Sequence, residues 1–120
     1  MWLALGVTGC LFGSNARDNR NPDRLAEMMR LVHEVGELPP FPATATELWV
    51  QTEGNMFTRT FVGRYCDTPE AVDAWLKGAA RLTEPLQAGG YADYDGEEQW
   101  RTTLWRSGSG ACVDFQVSWS

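Results

Sequence analysis

Met56-Phe57-Thr58-Arg59-Thr60-Phe61-Val62-Gly63-Arg64-Tyr65-Cys66-Asp67-Thr68-Pro69-Glu70-Ala71-Val72-Asp73-Ala74-Trp75-Leu76 decides the fold, because its apolar period changes from strand-like to helix-like within a few residues. Phe57, Phe61 and Tyr65 share one face of an extended segment, with Thr58, Thr60, Val62 and Arg64 on the other. Alternation of that kind predicts a strand over 56–65 with one face given to a core. Behind it, Thr68 suits a helix N-cap, Pro69 the first helical position, and Glu70 the positive end of the helix dipole. Val72, Trp75, Leu76 and Ala79 then form the buried stripe of that helix.

Upstream, Thr46 to Thr52 reads as a partner strand, joined at Glu53-Gly54-Asn55, where Gly and Asn tolerate positive φ in a short hairpin turn. Before it, Asn21 as N-cap, Pro22 and Asp23 open a helix over Pro22 to Val35, with Leu25, Met28, Met29, Val32 and Val35 as its apolar stripe and Gly36 as its stop. Leu38-Pro39-Pro40-Phe41-Pro42 cannot continue a helix and reads as a stiff connector rather than a Pro-rich ligand. Downstream, Thr83 to Glu97 is expected to be a long irregular loop. Two strands follow, Glu98 to Trp105 and Ala111 to Trp119, joined by Ser107-Gly108-Ser109-Gly110. In the last, Val113, Phe115, Val117 and Trp119 point inward and Cys112, Asp114, Gln116 and Ser118 outward. The order α-β-β-α-β-β implies an α+β domain over residues 22–120: a four-stranded antiparallel sheet of two hairpins, with the helices packed on one face.

The N-terminus has a different character. Val7-Thr8-Gly9-Cys10 follows an apolar run that includes Trp2, Leu3, Ala4 and Leu5, and it resembles the lipobox of bacterial lipoproteins. The resemblance implies a signal over residues 1–9, diacylation of Cys10, and Cys10 as the mature N-terminus. Leu11, in place of an Asp at that position, implies the outer membrane facing the periplasm if the host is Gram-negative. Only nine residues precede Cys10 and none is basic, which is shorter than ordinary leaders of about 15 to 30 residues. The run is also too short to span a bilayer, which needs about 20 apolar residues. A buried N-terminal strand with an incidental cysteine is the alternative. Residues 10–21 are otherwise rich in Gly, Ser, Asn, Asp and Arg and are expected to form a flexible tether. The stretch Phe57 to Leu76 also loosely resembles a small family of uncharacterised bacterial lipoproteins, a likeness that brings no activity with it.

The formal charge of −6 argues against nucleic-acid binding, which needs clustered Lys and Arg. It suits a basic partner, although a modest acidic excess ordinarily serves solubility. With Cys10 assigned to lipid, Cys66 and Cys112 remain. In an oxidising compartment two such thiols either pair, closing a loop of about 45 residues worth about 2 to 4 kcal/mol, or stay free.

Catalytic motifs are missing from the sequence. His33 is the sole histidine and Lys77 the sole lysine, which leaves little for a Ser-His-Asp or Cys-His site, a His-rich metal site or a lysine base. Gly108-Ser109-Gly110 does not have the Gly-x-Ser-x-Gly form of a nucleophile elbow. Asp93, Asp95, Glu97 and Glu98 could gather around Ca²⁺ or form a glycosidase pair, but the spacing lacks the EF-hand pattern, and solvated loop acids are the simpler reading. No cofactor is implied. Trp49, Trp105, Tyr91 and Tyr94, with Asp93 and Asp95, are the candidates for partner binding. The expected role is therefore a non-enzymatic, membrane-tethered interaction domain whose sheet face, around Glu47, Trp49, Arg59, Arg101 and Trp105, meets an envelope protein. The alternative is a periplasmic inhibitor or immunity-type lipoprotein that blocks a basic toxin or hydrolase. An enzyme using the acidic loop is a third reading.

Overall fold

The structure is a computed structural model that describes residues 22–54 and 59–119. Helices α1 (Pro22–Val35) and α2 (Pro69–Lys77) accompany strands β1 (Glu47–Gly54), β2 (Arg59–Cys66), β3 (Tyr91–Asp95), β4 (Trp100–Arg106) and β5 (Cys112–Trp119). All neighbouring strands are antiparallel, in the order β1-β2-β5-β4-β3. The fold is thus α+β, but the sheet has five strands rather than four. The expected loop Thr83 to Glu97 contains β3, which pairs with β4 from Tyr91↔Trp105 to Asp95↔Arg101. Glu98 and Gln99 have positive φ and belong to the β3–β4 turn, so β4 begins at Trp100 rather than Glu98. In the first hairpin, Glu53 and Gly54 pair with Thr60 and Arg59 and so extend β1 instead of turning. The lipidation expected at Cys10, the tether 11–21, the N-cap Asn21, the turn residue Asn55 and the strand residue Phe57 lie outside the described residues.

The core sits between the helices and one sheet face. Val50, Phe61, Tyr65, Leu104, Val113, Phe115 and Val117 are buried there, and α1 adds Met28 and Val32 while α2 adds Val72, Trp75 and Leu76. The Pro-rich connector is built into this core. Phe41 stacks on Trp75 at 5.4 Å and on Phe115 at 5.3 Å, and the Trp75 indole Nε1 donates to the Pro40 carbonyl at 3.1 Å. Gly63 is required by close approach, since a Cβ there would lie 2.4 Å from the Phe115 ring and 2.3 Å from the Trp49 carbonyl.

Helix α2 starts as its sequence dictates: Thr68 accepts the Ala71 N–H at 3.1 Å and Pro69 occupies the first turn. The preceding Asp67 is buried with three donors on its carboxylate, from Thr44 Oγ1, Tyr65 OH and the Thr68 N–H. Those bonds, Thr44's foremost, hold its carboxyl below the usual range. Arg106, also buried, fastens the other end of the domain. Its guanidinium donates to the carbonyls of Gly110, Leu86 and Pro69 and pairs with Asp73 at 3.2 Å. One side chain thereby joins the β4–β5 turn, the segment before β3 and the start of α2.

Candidate functional site on the helix-free face

Because side chains alternate along each strand, the registers line up a second face, free of helices among the described residues. One row crosses all the strands: Trp49, Arg64, Asp114, Trp105 and Tyr91. At its centre the Arg64 guanidinium forks onto Asp114, with Nε to Oδ1 at 2.7 Å and Nη2 to Oδ2 at 3.5 Å, each side chain about two-fifths exposed. At one end Trp105 and Tyr91 pack at 5.4 Å between ring centroids, 43% and 55% exposed respectively. At the other, half-buried Trp49 donates from Nε1 to Glu47 at 3.1 Å. Tyr91 and Trp105 are the large apolar side chains most open to water among the described residues.

Next to this row, Arg101 clasps both acids of β3, reaching Asp93 at 2.6 Å and Asp95 at 3.1 Å. Thr103 adds a bond to Asp93 at 3.4 Å. The guanidinium, more than the hydroxyl, keeps the Asp93 carboxyl below its usual range. Two carboxylates thus share one cation, leaving an excess of negative charge at this end of the sheet.

The candidate residues separate accordingly. Trp49, Trp105, Tyr91, Asp93 and Asp95 share the helix-free face with Glu47 and Arg101. Tyr94 does not join them: it points the other way, and its phenol donates to the Gly36 carbonyl at 2.6 Å, just past the end of α1. Burial pushes this phenol up to about 12. Arg59 also departs from the expected face, because it shares the parity of Phe61 and Tyr65 on the helix-bearing side. The four loop acids are divided as well. Asp93 and Asp95 belong to the clasp, while Glu97 and Glu98 line a shallow cleft with Glu34, Val35, Glu37 and Trp100. Among the described residues no group of three or more His, Cys, Asp or Glu could hold a metal ion. No helix among them is long and apolar enough to cross a membrane. His33 bonds through Nδ1 to the Leu38 carbonyl beyond α1.

Cys66 and Cys112 form a disulfide between directly opposed residues of β2 and β5. The Arg64–Asp114 fork was missed from sequence, yet a signal for it existed. If Cys66 faces Cys112 in antiparallel strands, the residues two positions inward, Arg64 and Asp114, must also face each other. The aromatic neighbour Tyr91 could not be placed in this way, because β3 was not recognised as a strand. No family model matches the chain, and no curated protein or solved structure matches it either.

Proposed function

We propose that this is a non-enzymatic interaction domain, held at a membrane by lipid on Cys10, which contacts an envelope protein through its helix-free sheet face. One observation carries the reading: the exposed Tyr91–Trp105 pair stands beside a geometrically ordered Arg64–Asp114 fork on a face that no helix among the described residues covers. Rigid aromatics next to a fixed polar pair are the composition of binding hot spots, where contact area is gained at little conformational cost. The anchor rests on the lipobox-like Val7-Thr8-Gly9-Cys10.

The test is in two parts. A photo-crosslinker at Trp105 in intact cells should give a discrete adduct that one at Glu70, on α2, does not give. Equal adducts from both positions would remove the face from consideration. Separately, Cys10→Ser should abolish acyl labelling and release the protein from washed envelopes, and its retention there unchanged would remove the anchor. A second reading, inhibition of a basic toxin or hydrolase, is favoured by the Asp93 and Asp95 carboxylates sharing a single guanidinium. Binding that persists unweakened at high salt, where charge is screened within a few ångströms, would count against it.

A further inference from the structure

We infer that the outer edge of β3 takes up an extended, basic strand from a partner protein, which would add a sixth strand to the sheet. This deepens the interaction reading above by naming the edge, the binding mode and the charge of the partner.

The ladder between β3 and β4 sets the geometry. The Gly96 N–H donates to Trp100 and the Arg106 N–H to Gly90, in the register that pairs Tyr91 with Trp105 and Asp95 with Arg101. In an antiparallel pair, main-chain bonds to one neighbour come from every second residue. Gly90, Ala92, Tyr94 and Gly96 therefore bond toward β4. Tyr91, Asp93 and Asp95 direct their N–H and C=O groups outward from the sheet, and all three residues are exposed. Asp93 is exposed even though its side chain, lying under Arg101, is only 24% so, which places much of its exposure on the main chain.

Charge selects the occupant. A second copy of this chain, paired antiparallel about Asp93, would set Asp93 against Asp93 across the new ladder, a repulsion that natural edge strands use to avoid self-association. A strand with Lys or Arg at alternate positions instead meets Asp93 and Asp95 on the same face, where Arg101 alone does not balance them. Tyr91 and Trp105 offer apolar contact to the next side chain along. Main-chain bonds would supply affinity and the alternate side chains selectivity, as in other strand-addition interfaces.

Asp93 also makes the test clean. Its N–H points out of the sheet, so proline there removes an outward donor and leaves the β4 ladder intact. The probe is an end-capped heptapeptide alternating lysine with valine, compared with its glutamate counterpart, titrated into the full-length protein and followed by amide NMR shifts. The lysine peptide should shift Tyr91, Asp93 and Asp95, and the glutamate peptide should not. Asp93→Asn should weaken binding about threefold by removing charge. Asp93→Pro should weaken it by about a further fivefold by removing the donor. Unchanged thermal unfolding of both variants confirms that the edge strand persists.

Equal binding of the two peptides, no binding up to about 1 mM, identical affinities for the Asn and Pro variants, or a dimer of the free protein joined through this edge would each overturn the inference. The crosslinker at position 105, set beside the lysine peptide, distinguishes it from the broader reading. If crosslinking at Trp105 fails while the lysine peptide still binds, the edge stands without the face. If crosslinking succeeds and the peptide does not bind, the face stands without the edge.

Discussion

The two faces of the sheet are made from the same strands but solve different problems. On the helix-bearing face Val50, Leu104, Val113 and Val117 are wholly buried and aromatic rings interlock around Phe41. On the other face Arg64, Asp114, Arg101 and Asp93 meet one another through paired charges that remain partly wet. Burial holds the first face together. On the second, ion pairs of this kind contribute little to stability, about 0 to 1 kcal/mol, and serve mainly to hold side chains in fixed positions. On the reading proposed above, stability and recognition would fall to opposite sides of one sheet, and a variant on either side should reveal which task it disturbs.

The largest effect is expected at Phe115→Ala, which empties the space above Gly63 and beside Phe41 and should cost about 3 to 5 kcal/mol in denaturant unfolding. Arg106→Met should follow at about 3 kcal/mol, because the carbonyls of Gly110, Leu86 and Pro69 lose their donor together. Arg106→Lys should recover only part of that loss, since an ammonium group cannot reproduce the fork. Replacing Cys66 and Cys112 with serine should lower stability by about 2 to 4 kcal/mol, measured against the oxidised protein.

Asp67 gives a pH signature instead of a fixed loss. Its folded carboxyl titrates below its unfolded value, so its contribution is complete above that value and is lost as pH falls through the folded one. Acid unfolding should therefore steepen below about pH 4, and Asp67→Asn should flatten that limb. The smallest stability effect is expected for Trp105→Ser, below about 1 kcal/mol, even though it removes the exposed partner of Tyr91. If Trp105→Ser destabilised the domain as much as Phe115→Ala, the contrast between the faces would fail.

Much of this division could be read in the chain. Both helices and the Thr68 cap follow from spacing and capping chemistry, and so does the inward set Val113, Phe115 and Val117, although Ala79, expected on the stripe of α2, is buried just past its end at Lys77. Strand β3 was illegible for a physical reason: Tyr91-Ala92-Asp93-Tyr94-Asp95 is short and carries two residues that strands ordinarily avoid. It is held in place by Arg101 and by the Tyr94 bond to Gly36, contacts that local propensity does not record. Tyr94 illustrates the same limit, since a tyrosine beside loop acids resembles a binding residue until the end of α1 is brought against it. Arg106 depends on three segments distant in sequence, and only tertiary structure assembles its partners.

The position of β5 has a consequence for how the molecule comes into being. It is the last strand in chain order but lies in the middle of the sheet, between β2 and β4. Until β5 joins, the two hairpins on either side have no common neighbour and the rings around Phe115 are incomplete. The domain should therefore stay pliable until β5 is available and then close in one late, long-range step.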